Sequence, residues 1–352
     1  MKINQVEAGR RQVANWLLLG AAMIMIQVLL GGITRLTGSG LSITEWKPIL
    51  GAIPPMDQAS WEAAFEQYKA IGQYKHLNFD FTLDDFKFIY FWEWFHRVWA
   101  RFMGLVFLFP FVYFLWSKKI DRTMVIPMVI LFLLGALQGA LGWIMVKSGL
   151  TDDMLYVSHI RLAIHFMAAL GLLCYVVWFA MKLLVPHTDL EAAPALRRST
   201  LILTALLLVQ LVYGAFMAGL KAGAFAPTWP TINGQWWPEG MAGPVGGFPL
   251  TDNPMVVQLI HRSLAYLLVV ALVWWYGKAR HWNTRGLFSR TRHWPLILVF
   301  LQVLLGIATV LHAASSRDLL WWGVAHQFVA MLLLVALLAN VYLLRQNKPA
   351  AV

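Results

Sequence analysis

The chain has 352 residues, of which 59% are hydrophobic and only 13% charged, against roughly 45–50% apolar and 25% charged in soluble domains. That composition excludes an ordinary soluble domain and makes lipid the natural solvent. A formal charge of +11 invites a nucleic-acid reading, which the placement of the basic residues removes. Eight apolar runs reach the roughly 20 residues a helix needs to cross the hydrocarbon core. They predict spans near 14–34, 86–116, 124–146, 157–181, 199–220, 255–276, 294–312 and 321–344. The first run, Asn15 to Ile33, is long for the apolar part of a signal peptide and continues into a structured Gly-rich motif, so it is expected to stay as a span.

Eight spans put both ends of the sequence on one side. Lys2, Arg10, Arg11, Lys118, Lys119, Arg122, Lys182, Arg197, Arg198, Lys278, Arg280, Arg285, Arg290, Arg292, Arg345 and Lys348 all fall there. By the positive-inside rule that side is the cytoplasm, or the mitochondrial matrix in a eukaryote. Most acids, among them Glu45, Asp57, Glu62, Glu66, Asp80, Asp152 and Asp153, fall on the opposite side. The charge is therefore topological, and no nucleic-acid partner is expected. A single cysteine, Cys174, lies in the fourth span, so an intramolecular disulfide, a Cys-x-x-Cys-His haem attachment and a thiolate cluster are all excluded.

The odd-numbered spans repeat a motif. Gln-x-x-x-Gly occurs as Gln27 to Gly31, Gln138 to Gly142, Gln210 to Gly214 and Gln302 to Gly306, each near the outer end of an outward-running helix. The even-numbered spans answer with His96, His165, His261 and His326. At about 1.5 Å rise per residue these histidines share a depth of about 10–16 Å from the outer side. His96 and His165 are 69 residues apart, and His261 and His326 are 65 apart. The expected architecture is all-α: two tandem four-helix-bundle repeats, 1–190 and 191–352, related by an axis along the membrane normal. Such parallel repeats exclude the inverted repeats common among transporters.

An intramembrane histidine is costly enough to mark function, with a satisfied helix-to-helix hydrogen bond as the bland alternative. Four in one layer, two per half, favour function. Two facing imidazoles in an apolar slot suit axial ligation of haem iron, with glycines on neighbouring helices admitting a flat macrocycle. Zinc would want further ligands, which the C-terminal half lacks. Two iron sites are therefore expected, His96 with His165 and His261 with His326.

The halves differ in one group. Glu93 stands three residues before His96 on the same helix face, where the second half has Gln258 before His261 and Gly323 before His326. An acid beside only one slot suggests chemistry in the N-terminal half and a redox haem in the other; the helix macrodipole alone would also favour an acid there. Arg97, Arg101, Arg161 and Arg262 are candidate partners for haem propionates, or snorkelling helix-end residues. His159 lies about 240° around the helix from His165 and cannot share its iron, and His312 reads as interfacial. His76, His187, His281 and His293 fall in loops.

These residues resemble a known family. Gly31-Gly-Ile-Thr-Arg-Leu-Thr-Gly-Ser-Gly-Leu-Ser-Ile-Thr-Glu-Trp-Lys-Pro48, Phe86-Lys-Phe-Ile-Tyr90, Glu93-Trp-Phe-His-Arg97 and Arg161-Leu-Ala-Ile-His165 look like the N-terminal half of haem A synthase. Gly214-Ala-Phe-Met-Ala-Gly-Leu-Lys-Ala-Gly223, Thr231-Ile-Asn-Gly-Gln-Trp-Trp-Pro238, Gln258-Leu-Ile-His-Arg262 and Ala325-His326-Gln327 continue the match in the second half. The likeness covers nearly the whole chain and is to the proteobacterial and mitochondrial branch.

The resemblance implies oxidation of the C8 methyl of haem O to a formyl group, giving haem A for terminal cytochrome oxidases. It implies a haem B cofactor on His261 and His326, with Arg262 beside it, and substrate held between His96 and His165 with Glu93 catalytic. Expected partners are membrane lipid, haem O synthase, oxidase assembly factors and an electron donor that the sequence does not name; a homo-oligomer is compatible with it. The expected place is the bacterial inner membrane, or the mitochondrial one in a eukaryote. Gram-positive members carry a cysteine pair in outer loops that this chain lacks, so no thiol-based step operates here. The rival reading is a di-haem membrane cytochrome exchanging electrons with quinol, which would yield no extractable haem A.

Overall fold

The computed structural model describes residues 2–46, 50–242, 249–282 and 286–345. Lys47, Pro48, Arg285 and Lys348, which enter the sequence reading, lie outside the described residues. Among those described, the chain is helical, with one isolated bridge between Ile232 and Gln235 in place of any strand. Eight helices are long and apolar enough to cross a membrane: Glu7–Leu36, Leu83–Trp116, Arg122–Lys147, His159–Leu184, Pro194–Gly219, Pro254–Ala279, Leu287–Leu311 and Asp318–Leu343. The protein is a multi-pass membrane protein.

Several helices begin before the apolar runs do, because polar caps start them. Thr82 and Asp85 form a reciprocal capping box at the second span, with the Thr82 amide donating to Asp85 Oδ2 at 2.9 Å. Asp121 accepts from the Thr123 amide at 2.8 Å to open the third. Asn253 accepts from the Met255 amide at 2.8 Å ahead of Pro254, whose missing N–H costs nothing at the first helical position. After the first span, Gly38 turns the chain at φ +70°, a region glycine adopts without a Cβ clash.

Burial divides the bundle. The first, fourth, fifth and eighth spans form its interior: the first packs on the fourth and eighth, the fifth on the fourth and eighth, and the fourth on the eighth. Leu17, Leu173, Leu207 and Leu333 are among the buried side chains of that core. The flanking spans attach outside it, the second to the first, the third to the fourth, the sixth to the fifth and the seventh to the eighth. Only 6% of the second span's apolar window is buried, against 44% for the eighth, so its many exposed aromatic and aliphatic side chains face lipid.

The first and fifth spans meet where the Arg35 guanidinium donates to the Ala218 carbonyl. The first and eighth are tied by Gln327 Nε2, which donates to the Val28 carbonyl at 3.0 Å. The Gln327 side chain also fills the place that a Cβ on Gly32 would take.

The long segment after the first span is ordered into a cap. Helices Gln58–Lys69 and Gly72–His76 enclose a cluster of Leu41, Phe65, Tyr68, Ile71, Phe86 and Ile89, with the Phe65 and Phe86 rings stacked 5.0 Å apart. Burial in that cluster pushes the Tyr68 phenol up to about 12. At the cap's edge Lys75 pairs with Asp152 at 2.8 Å and holds its carboxyl below the usual range. Both side chains are well exposed, so the pair adds little stability.

Candidate functional site

All four intramembrane histidines line one internal cavity of about 1090 Å³ that runs through both halves of the chain. Ligand pockets ordinarily occupy roughly 300–1,000 Å³, so this one stands at the upper end of that range. His261 and His326 face each other, ring centroids 6.5 Å apart and planes inclined at 75°. That separation is too wide for a hydrogen bond. It matches one metal atom bonded to both rings at about 2 Å per metal–imidazole bond, once the ring widths are added.

The glutamines and glycines of the repeated motif meet these histidines across helices. Gln27 Nε2 lies 3.2 Å from His96 Nε2, Gln210 Nε2 lies 3.4 Å from His261 Nε2, and Gln302 Nε2 lies 3.3 Å from His326 Nε2. The Nδ1 atoms of His165 and His261 are buried without a hydrogen-bond partner. A Cβ built on Gly31 would stand 3.2 Å from His96 Cε1, and one on Gly142 3.2 Å from His165 Cε1. The corresponding approaches are 3.4 Å from Gly214 to His261 and 2.9 Å from Gly306 to His326. Each glycine thus receives the edge of an imidazole, the space that the sequence reading gave to a macrocycle. The rings are seated against backbone, three of them are steered by an amide, and His326 is held at both nitrogens, by Gln302 Nε2 and at 3.0 Å by the Gln302 carbonyl.

Orphaned polar atoms point to a guest. The Oε1 atoms of Gln27, Gln210 and Gln302 and the Nδ1 of His261 are buried without partners, although buried polar groups are nearly always satisfied. Among the described residues no cluster of three or more His, Cys, Asp or Glu could hold a metal ion. Two imidazoles per site, an apolar cavity and unpartnered nitrogens fit a macrocycle that brings its own equatorial ligands.

Glu93 is 2% exposed and lines the same cavity. Its Oε2 accepts from Ser42 Oγ at 2.7 Å and from the Ile43 amide at 2.9 Å, and its Oε1 accepts from Arg97 Nη2 at 2.6 Å. Arg97 also donates to the carbonyls of Ile43 and Glu45. Carboxylate and guanidinium together clasp the outer segment over the N-terminal site. A second clasp stands at the other site, where Gln258 Nε2 donates to the Ala226 carbonyl at 2.9 Å and Arg262 reaches the carbonyls of Ala226, Thr228 and Thr231.

Arg262 therefore lines the cavity with its guanidinium engaged by a loop. Arg101 also lines it, whereas Arg161 donates to the Ile144 carbonyl at the helix end. His159 packs on Phe216 and pairs with Asp252 at 3.4 Å, away from His165. His312 stacks on Trp322, with its Nδ1 2.8 Å from the Ala308 carbonyl.

Sequence reasoning missed Arg35, which lines the cavity at the junction of the first and fifth spans, and the seating role of the glutamines. The fourfold Gln-x-x-x-Gly spacing was the available signal for the latter.

Comparison with known proteins agrees with this site. Residues 14–338 match the COX15-CtaA family profile, described as "Cytochrome oxidase assembly protein". The "Heme A synthase" of Flavobacterium johnsoniae is 39% identical over 332 residues, covering 93% of this chain and 96% of that one. Those of Rhizorhabdus wittichii and Paracoccus denitrificans are 44% and 40% identical, over 93% and 94% of this chain and 92% and 87% of their own. With one family profile spanning most of its length and relatives at this identity, the chain belongs to the COX15-CtaA family of cytochrome oxidase assembly proteins.

Proposed function

We propose that this protein is a haem A synthase, an oxidoreductase that converts the C8 methyl of haem O to the formyl group of haem A. The observation that carries the reading is the layer of four histidines around one cavity, with an acid beside only one pair. On this reading His96 and His165 hold the substrate and Glu93 is the catalytic acid or base at its edge. His261 and His326 hold a haem B cofactor, which supplies one-electron redox chemistry when bound. Seating by Gln210, Gln302, Gly214 and Gly306 fixes those two rings.

The matching helix contacts of residues 1–190 and 191–352 support two halves, since first-with-eighth answers fifth-with-fourth when the halves are exchanged. The test is pigment extraction from membranes expressing the chain with haem O available. Haem A is expected; bound haem without haem A would leave a di-haem cytochrome, and a preparation without a Soret band would remove both.

The run of basic residues on one side supports a topology with both ends of the described chain on the cytoplasmic side of a bacterial inner membrane, or on the matrix side of a mitochondrial one. A periplasm-dependent phosphatase fused after Lys118, in the turn between the second and third spans, is expected to be inactive. Activity there would reverse the topology.

A further inference from the structure

The two pairs of flanking spans close the cavity unequally. The sixth and seventh spans pack against each other, while the second and third have no comparable packing. The latter meet at Phe107 and Phe132, whose rings stack 6.1 Å apart. Outward of that stack lie Gly104 on one helix and Gly135 and Gly139 on the other. A Cβ on any of the three would have nothing within 4 Å, and all three are exposed and line the cavity.

Counting from the motif residues gives their counterparts in the second half. Gly104 stands eight after His96, as Val269 does after His261; Gly135 and Gly139 flank Gln138 as Val299 and Val303 flank Gln302. Val299 is 2% exposed, and Val269 packs against the core. Three open glycines thus correspond to three valines, of which Val269 and Val299 are packed.

We infer that the gap between the second and third spans is a lateral doorway, through which a porphyrin bearing a long isoprenoid chain passes between bilayer and cavity, its chain lying across the three glycines. The inference rests on the haem O reading. Such a molecule is too apolar to arrive through water, and the gap joins lipid to the cavity that contains His96 and His165. The valines of the other half wall in a cofactor that has no such chain and does not turn over. The Phe107–Phe132 stack forms the sill.

The test is the triple variant Gly104→Val, Gly135→Val, Gly139→Val in the full chain. Co-purifying haem O and haem A yield are expected to fall tenfold or more, with haem B on His261 and His326 retained as the measure of folding. Wild-type haem O and haem A in that variant would overturn the inference. An altered oligomeric state with haem O unchanged would assign the gap to a second copy of the chain and overturn it equally.

Should haem B be lost as well, Gly139→Cys in a Cys174→Ser background supplies an independent readout. A lipid-soluble maleimide is expected to label it, and haem O to slow the labelling at least severalfold. Labelling indifferent to haem O would refute the doorway. Absence of haem A from the wild type under the same conditions would instead sink the functional reading itself.

Discussion

Replacing either His261 or His326 with alanine is expected to abolish the low-spin bis-histidine haem B signal and, with it, haem A formation. The two rings face each other across 6.5 Å, and each is seated by its own glutamine and glycine. Neither of their helices carries a second histidine, and His312, at the end of the seventh span, is engaged with Trp322 and the Ala308 carbonyl. With one ring removed a single imidazole would remain to hold the haem, with no other histidine on either helix, so occupancy is expected to drop below a tenth of wild type. The measurement is the reduced-minus-oxidised spectrum of the purified variants, alongside extracted pigments. Full bis-histidine signal in both single variants would end the assignment of this pair.

Glu93→Gln is expected to leave haem B in place and lower haem A yield by roughly a hundredfold, the lower range for loss of a positioned acid or base. Glu93 carries three hydrogen bonds that hold the outer segment, so the amide variant changes two things at once. It removes the charge, and it turns an NH2 toward donors that need an acceptor, which leaves a buried group unsatisfied. Ser42→Ala separates them, because it takes one donor from the clasp and keeps the carboxylate. If charge at the substrate is what counts, Ser42→Ala retains most of the activity and Glu93→Gln does not. Equal losses in both would make Glu93 a positioning residue for the loop, and its catalytic role would be withdrawn.

The spans were legible because lipid imposes a single rule, an apolar run long enough to cross, and this chain obeys it eight times. Their ends were less so. The first span begins at or before Glu7, ahead of the apolar run, and the fifth at Pro194, because helices continue to their caps and not to the last apolar residue. The four histidines were legible by type and spacing. Their seating was not, since the meeting of Gln210 with His261, or of Gly306 with His326, depends on the rotation of two helices about their axes. A single sequence gives the face of each helix but not the register between them.

Arg262 shows the same limit. Its position beside His261 made it a propionate candidate, while the three carbonyls that engage it come from a loop with no periodic pattern. The cap over the first half was hidden for a different reason. Its aromatic cluster joins Phe65 and Tyr68 to Phe86, across a stretch where hydropathy shows only a polar loop.

Arg35 carries a consequence for the life of the protein. Its guanidinium borders the cavity and donates to the Ala218 carbonyl, and among the described residues no carboxylate pairs with it. A half-buried guanidinium held only by a carbonyl would gain a charge-assisted partner from an anionic guest. Whatever binds the native state and not the unfolded chain adds to stability by mass action. A porphyrin whose propionates met Arg35 would therefore be expected to protect the folded chain, and digestion of the purified protein by a protease with and without added haem measures it.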